Sequence, residues 1–561
     1  AVQSHVAVLM AHRRGRAVLG DGEAVTILPH PDRVRPLGSL LLAGDDQVNL
    51  RTVPGALGAL GELGDEIILN ILGSLDGASL GRCAGVSRAL RVFSRSDDLW
   101  KALVLQGVRG KLCYSGSWRL TFLSSGLAGR VVGATEASIG AAPLYSDALF
   151  APWFCGTAAL PSRWSAFENV TRVDGARLSV DEFERRFEAP GVPVVLTGVA
   201  SAWPAFAHWT EESLRRRFGG TCFNVGGHPM ALDNFLDYCS ATTDEMPLYL
   251  FDKHFAAKAP ALAEEYTPPP VFAPSRDLFH GLPPSCRPDH RWLIVGAPRS
   301  GSSWHVDPNA TSAWNACIRG VKKWILCPPD APPPGMTASE DGSSVTCPVS
   351  LYEWFRVFYP SLHDGAAAPN KRAKAAPGPV EVTLREGEML FVPRGWWHTA
   401  INLTTTVAVT QNYAPRCAAA EVLAFLRHAI STDENEQELV SGVSAAARQE
   451  LYYEFEKIVG CQSGCGGGSA PAPAPSAGDA AAPCATEGAS AGLGARGWWS
   501  ELVSTVPGTS TPALEAQANN AMKESSFGHA GGGFSFGFGG SPTAAPTHET
   551  KAASSSFRFG F

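Results

Sequence analysis

No Cys-x-x-C pair occurs among the 13 cysteines, and their number is odd. A disulfide framework is therefore not the organising device, and free thiols in a reducing compartment are expected. Cys461 and Cys465 stand close together, but in a Gly-rich run with no partner pair. Long apolar runs are also missing: stretches such as Val6–Met10 fall far short of the ~20 residues a spanning helix needs. No signal-peptide pattern opens the chain, so a soluble intracellular protein is expected. Excess positive charge is absent, with 46 Lys and Arg against 53 Asp and Glu for a net −7. That balance argues against an electrostatic nucleic-acid binder. Charge is sparse altogether, 18% of 561 residues against 45% apolar, which excludes disorder throughout.

Glycine and proline are plentiful instead, 58 and 42, more than a compact enzyme uses. Residues 1–60 hold short apolar pieces to which no fold is assigned. Over 61–106 the pattern changes: Ile67, Ile68, Ile71, Leu72 and Leu75 recur at helical spacing. Asp65 and Glu66 suit a helix start, Asp76-Gly77 breaks the pattern, and two more short helical stretches follow. Residues 107–160 read as a connector. From 161 to 415, β-rich runs alternate with Gly and Pro: Pro193–Leu196, Leu248–Phe251, Trp292–Val295, Ala313–Ile318, Lys323–Cys327, Met389–Val392, His398–Leu403 and Thr406–Thr410. Helical stretches near 180–188, 210–218 and 232–240 precede most of them. Many short strands predict a barrel or sandwich. Inserts interrupt it at 328–346 and 363–378. The second holds the basic run Lys371–Lys374, which reads as a solvated loop, with a nuclear signal as the sharper alternative. Residues 416–460 predict a helical extension. Residues 461–561 collapse into Gly, Ala, Pro, Ser and Phe-Gly pairs, which cannot bury enough apolar surface to offset ordering entropy. A short helical island near Trp498–Val503 is the one exception.

Chemistry concentrates in 299–329 and 387–414. His305 and Asp307 are separated by one residue, so on extended backbone both face the same way. His398 lies in a later β-rich run. Two His and one carboxylate on one face of a metal leave adjacent positions open, the arrangement of non-haem Fe(II) oxygenases. The spacing alone is weak, since about one His-x-acid is expected by chance at these frequencies. His30-Pro31-Asp32 is such a decoy and reads as a turn. An oxo-acid cosubstrate needs a cation for its far carboxylate. Lys322 and Lys323 are candidates, of which strand parity turns at most one inward. Thr410 and Asn412 alternate on the last strand and offer a hydroxyl and an amide.

Five motifs in order then carry a resemblance: Pro247–Asp252 (PLYLFD), Arg299–Pro308 (RSGSSWHVDP), Thr311–Ala316 (TSAWNA), Arg394–Leu403 (RGWWHTAINL) and Thr410–Ala414 (TQNYA). Residues 161–415 resemble a JmjC domain, the cupin-type double-stranded β-helix (jelly-roll) of the Fe(II)/2-oxoglutarate oxygenases. The likeness is greatest to the bifunctional arginine demethylase and lysyl-hydroxylase group. Arg394 stands where that group has Gly. Residues 61–106 resemble an F-box, with Gly64 in place of the usual Pro. The resemblance implies an α+β chain: an F-box-like helical bundle, a JmjC barrel with flanking helices, and a disordered tail. It implies iron on His305, Asp307 and His398, with O2 and 2-oxoglutarate as cosubstrates. Lys322 would pair the far carboxylate beside Thr410, with Tyr249 and Asn315 as further contacts and Ser302 keeping a hydroxyl the group often supplies as Thr.

The expected activity is hydroxylation or demethylation of arginine or lysine side chains in histones or other nuclear proteins, in the nucleus. The alternative is a substrate receptor of a cullin ubiquitin ligase, docked through a Skp-type adaptor, whose barrel mainly binds its target. Asp244 and Glu245 are candidates for attracting a cationic side chain.

Overall fold

Eight strands make two facing sheets around the region of the motifs. In the computed structural model, residues 16–18, 24–26, 28–42, 48–126, 142–338, 345–346, 350–363, 378–431 and 445–463 are described. The basic run at Lys371–Lys374, the Phe-Gly tail and the island at Trp498–Val503 lie outside the described residues.

The helical module comprises α1 (Asp65–Gly73), α2 (Gly77–Val86), α3 (Arg88–Ser94) and α4 (Asp97–Gly107), followed by α5 (Trp118–Ser124). Asp65 and Glu66 do open α1. After the Asp76-Gly77 break three helices follow rather than two. Asp76 accepts from the Ser79 amide to cap α2, and Ser87 accepts from Leu90 to cap α3. The second cap splits what helical periodicity reads as one stretch, because a serine in extended backbone satisfies the orphan amide of a new start. α1 turns Ile68, Leu69 and Leu72 inward. The connector adds α6 (Asp147–Thr157), capped by Ser146. His30-Pro31-Asp32 is a turn, closed by the Arg33 amide on the His30 carbonyl.

The barrel strands are β1 (Arg291–Gly296), β2 (Gly301–His305), β3 (Ser312–Arg319), β4 (Lys322–Cys327), β5 (Val380–Leu384), β6 (Met389–Val392), β7 (Trp397–Asn402) and β8 (Thr406–Tyr413). One sheet runs β6-β3-β8-β1, continued by Val194–Thr197 and Thr171–Asp174 beside β6 and by Tyr249–Asp252, Cys222–Val225 and His228–Ala231 beside β1. The other runs β2-β7-β4-β5. All pairings between barrel strands are antiparallel. The helical stretches expected near 180–188, 210–218 and 232–240 are present, the first continuing as a π-helical turn through Glu188. Two helices follow the barrel, α7 (Ala419–Ser431) and α8 (Ala445–Ser463).

One apolar cluster joins the helical module to the outer faces of the barrel, from Ile68, Phe93, Trp100 and Trp118 to Met230, Trp314 and Phe391. A second fills the barrel interior with Trp324, Leu326, Val382, Leu390 and Ala400. A third lies under α7 and α8. The module is locked on by polar contacts too. Asp244 accepts from Lys101 at 2.9 Å, from Trp118 Nε1 at 2.9 Å and from the Tyr238 hydroxyl at 2.7 Å. Tyr114 and Asn234 exchange two hydrogen bonds.

Candidate metal centre and cosubstrate pocket

His305 ends β2 and faces His398 of β7 in register, their rings 4.1 Å apart. A bulge between Ser302 and His305 makes this pairing. Without it, strict alternation would turn Ser302 and Trp304 inward and His305 outward. With it, Trp304 packs outward on Trp354 and the imidazole enters the barrel. Asp307 lies just beyond the strand, but its backbone stays extended (φ −61°, ψ 137°), so the i, i+2 relation survives the end of the ladder.

Asp307 Oδ1 stands 3.9 Å from His305 Nε2 and 3.7 Å from His398 Nε2. One donor atom from each of the three residues falls within 4.8 Å of the others, close enough for a single ion with bonds of about 2.1 Å. His305 Nδ1 donates to the Ser303 carbonyl at 2.7 Å and His398 Nδ1 to the Trp396 carbonyl at 2.9 Å. These bonds fix the tautomer and turn both Nε2 lone pairs toward the carboxylate. Burial pushes both imidazoles down to about 4, so they are neutral near pH 7. Burial pushes the Asp307 carboxyl up, against the opposing pull of His305 and the Asn412 amide. Its Oδ2 is buried with no hydrogen-bond partner among the described residues. Neutral imidazoles and an orphaned buried carboxylate oxygen fit a divalent cation.

The second half of the site lies between the sheets. Lys322 is 1% exposed and its ammonium donates to the Tyr249 hydroxyl at 3.0 Å, over the rings of Tyr249 and Trp324. No carboxylate pairs with it among the described residues. Its neighbour Lys323 points the other way, to Glu381 at 2.7 Å and the Phe167 carbonyl. Parity separates the two, and Lys322 is the inward one. Asn315 and Thr410 are register partners on β3 and β8, as are Ala313 and Asn412. Asn315 Oδ1 is buried without a hydrogen-bond partner among the described residues, while the Thr410 hydroxyl donates to the Trp314 carbonyl at 2.8 Å. Ser302 sits opposite Ala400.

Two placements depart from expectation. Asn412, expected at the cosubstrate, donates to Thr311 Oγ1 at 3.1 Å and faces Asp307. It belongs to the carboxylate's surroundings. Asp244 is occupied by donors of the helical module, and Glu245 is occupied by Ser350 and Cys155 outside it, so neither is presented to a cationic substrate. Sequence reading missed Gly296, where an added Cβ would meet the Tyr249 ring at 2.5 Å and Ser300 Oγ at 2.3 Å. Its bare backbone leaves room for the Tyr249 ring, and a glycine at a strand end is the only signal for it.

Residues 180–419 match the Cupin-like domain family and residues 61–106 the F-box-like family. The chain belongs to the JmjC-type, cupin-fold oxygenases that use iron and 2-oxoglutarate. It is 41% identical over 427 residues to the arginine-specific demethylase JMJ22 of Arabidopsis thaliana, covering 76% of this chain and 80% of that protein. It is 36% identical over 378 residues to the lysine-specific demethylase JMJ21 of the same plant, covering 64% of this chain and 37% of that protein. It is 40% identical over 256 residues to the bifunctional arginine demethylase and lysyl-hydroxylase psr-1 of Caenorhabditis briggsae, covering 44% and 62%.

Proposed function

We propose that this oxygenase acts on arginine or lysine side chains of proteins, with His305, Asp307 and His398 holding the iron and Lys322 receiving the far carboxylate of 2-oxoglutarate. The observation that carries the reading is that, among the described residues, a buried carboxylate oxygen of Asp307 has no hydrogen-bond partner and the buried ammonium of Lys322 has no carboxylate. One lacks a cation and the other an anion, and both face the same interior. Iron held there would let O2 place one oxygen atom in 2-oxoglutarate, which leaves as succinate and CO2, and the other in a C–H bond of the substrate.

The protein's own groups do the positioning. Ser303 and Trp396 carbonyls hold the imidazoles as Nε2 bases. Tyr249 hydrogen-bonds Lys322 and sets the depth of its charge, and Asn315 presents an unfilled carbonyl oxygen on the same floor. Apolar walls from Trp324, Leu326 and Ala400 exclude water, which strengthens the charge pair. If the hydroxylated carbon is an N-methyl group, the product loses formaldehyde and the amine is restored. If it is a side-chain carbon, a stable alcohol remains.

Incubation of the chain with Fe(II), ascorbate, 2-oxoglutarate and arginine-methylated or lysine-containing peptides tests this. Succinate is expected, with a peptide mass loss of about 14 Da for demethylation or a gain of about 16 Da for hydroxylation. Asp307→Ala should abolish both. Succinate formation that survives D307A would overturn the ligand assignment.

A second surface supports the adaptor reading. On α1, Ile67 and Ile71 are 50% and 40% exposed, one helical turn apart, and Val86 at the end of α2 is 71% exposed. An apolar stripe on a module already packed on its other side suits a Skp-type adaptor. Ile67→Asp should abolish capture of a purified adaptor without changing succinate yield.

A further inference from the structure

Directly after Asp307 and Pro308, Asn309 (φ 60°, ψ 22°) and Ala310 (φ 51°) both adopt left-handed backbone. Asparagine tolerates this conformation, whereas alanine pays for its Cβ. Two such residues in a row persist only where the surroundings over-determine them. Here the surroundings are visible. Helix α7 lies against Pro308–Ala310. The Ala310 methyl packs on the cluster of Ala414, Ala418, Val422 and Leu426 from the α7 side, with Leu451 and Phe455 from α8. Asn309 is 2% exposed. The turn is closed by Thr311, whose hydroxyl and amide both donate to the Pro308 carbonyl. Asn412, which donates to Thr311, also faces Asp307.

We propose that the C-terminal helix pair positions the Asp307 carboxylate by holding Asn309 and Ala310 in their left-handed conformation, so that α7 sets metal affinity from outside the barrel. Asn309 and Ala310 are positioning residues: neither touches the metal. The inference rests on the metal reading above. It distinguishes the two halves of the pocket, because Lys322 and Tyr249 lie on strands that α7 does not hold.

The test measures Mn(II) affinity by calorimetry in the full chain, and 2-oxoglutarate affinity in the metal-saturated protein. Val422→Ala, which loosens the packing over Ala310, should weaken Mn(II) about tenfold, as loss of support behind a ligand does, and leave 2-oxoglutarate affinity unchanged. Adding Ala310→Gly should restore Mn(II) affinity, since glycine holds positive φ without help. A purely structural role of Val422 predicts equal losses for both ligands and no rescue. Leu423→Ala, half-buried on the same helix, replaces V422A if that variant does not fold. Unchanged Mn(II) affinity in the helix variant, or no recovery in the double variant, overturns the clamp alone. A wild-type chain that binds no Mn(II) overturns the metal assignment and the clamp with it.

Discussion

Lys322 and Lys323 are adjacent, both fully buried, and differ in everything that follows from which way they point. Lys323 already has its anion, Glu381, which also accepts from the Tyr359 hydroxyl at 2.8 Å and lies 3.0 Å from His363 Nε2. Removing Lys323 leaves that carboxylate buried and uncompensated. Lys323→Ala should therefore cost about 3–5 kcal/mol of stability, read in denaturant unfolding, with no selective effect on 2-oxoglutarate. Lys322→Ala should leave stability closer to wild type and raise the KM for 2-oxoglutarate about a hundredfold, the loss of a charge-assisted contact worth ~3 kcal/mol. The reverse pattern in steady-state kinetics would show that the faces are exchanged. The sequence alone reveals that the two lysines part company, since alternation is a property of any strand. It does not reveal which one turns inward, because that depends on how β4 registers against β7, with Lys322 opposite Asn402. The His-x-Asp spacing is legible for the same reason. The bulge that brings His305 inward is not, since nothing in Ser302-Ser303-Trp304 marks an extra residue.

Among the elements, the turn that carries the chain from β1 in one sheet to β2 in the other is the most tightly specified. Arg299 sits in it with φ 73°. Its guanidinium reaches the carbonyls of Cys155 and Ala158 at the C-terminal end of α6, where a cation is favoured by the helix dipole. The connector is thus pinned to the loop that precedes the His305 strand. Gly301 opens that strand, and an added Cβ there would stand 1.9 Å from the Ala400 carbonyl oxygen. Gly301→Ala must push β2 off β7, and a melting temperature several degrees lower is expected, from a clash worth about 1–3 kcal/mol. Melting curves at wild-type temperature would show that the strands part without cost. Six of the eight barrel strands are legible as short β-rich runs because Gly and Pro punctuate them, whereas β2 and β5 are not among those runs. The division of the helical module into α2 and α3 is not, because one serine cap decides it.

At the scale of the whole molecule, the helical module and the barrel share a core, and their polar contacts are placed where they interlock. Asp244 receives three donors from α4, α5 and the Tyr238 helix. Asp244→Ala should lower stability by about 3–5 kcal/mol and still give a single unfolding transition in calorimetry; two separated transitions would show the modules to be independent. The same seam is pH-sensitive. Burial pushes Glu245 from 4.5 up to about 7, with Glu353 and Asp98 adding to the effect. Burial also pushes Asp97 up to about 7, with Asp244 and Asp98 adding to it. A folded carboxyl that keeps a proton the unfolded chain has already released stabilises most below pH ~4.5, and that stability is lost as pH rises through about 7. Glu245→Gln removes this dependence. Its melting temperature relative to wild type should therefore rise between pH 5 and pH 8, by about 2–4 °C per kcal/mol recovered. A constant difference would mean that Glu245 is charged throughout.

The common core has one more consequence, visible in hydrogen exchange. A chain that unfolds as one unit is protected as one unit: a barrel ligand at a hundred times its Kd adds about 2.7 kcal/mol to every amide that opens only by global unfolding. Trp100 and Trp118 belong to α4 and α5 rather than to the barrel, yet they are buried in the same cluster as the barrel's outer faces. Amides of α4 and α5 that depend on that cluster would exchange about a hundredfold more slowly once metal and 2-oxoglutarate are bound. The helical module would then report, through the lifetime of its hydrogen bonds rather than through any change of shape, whether the oxygenase is loaded.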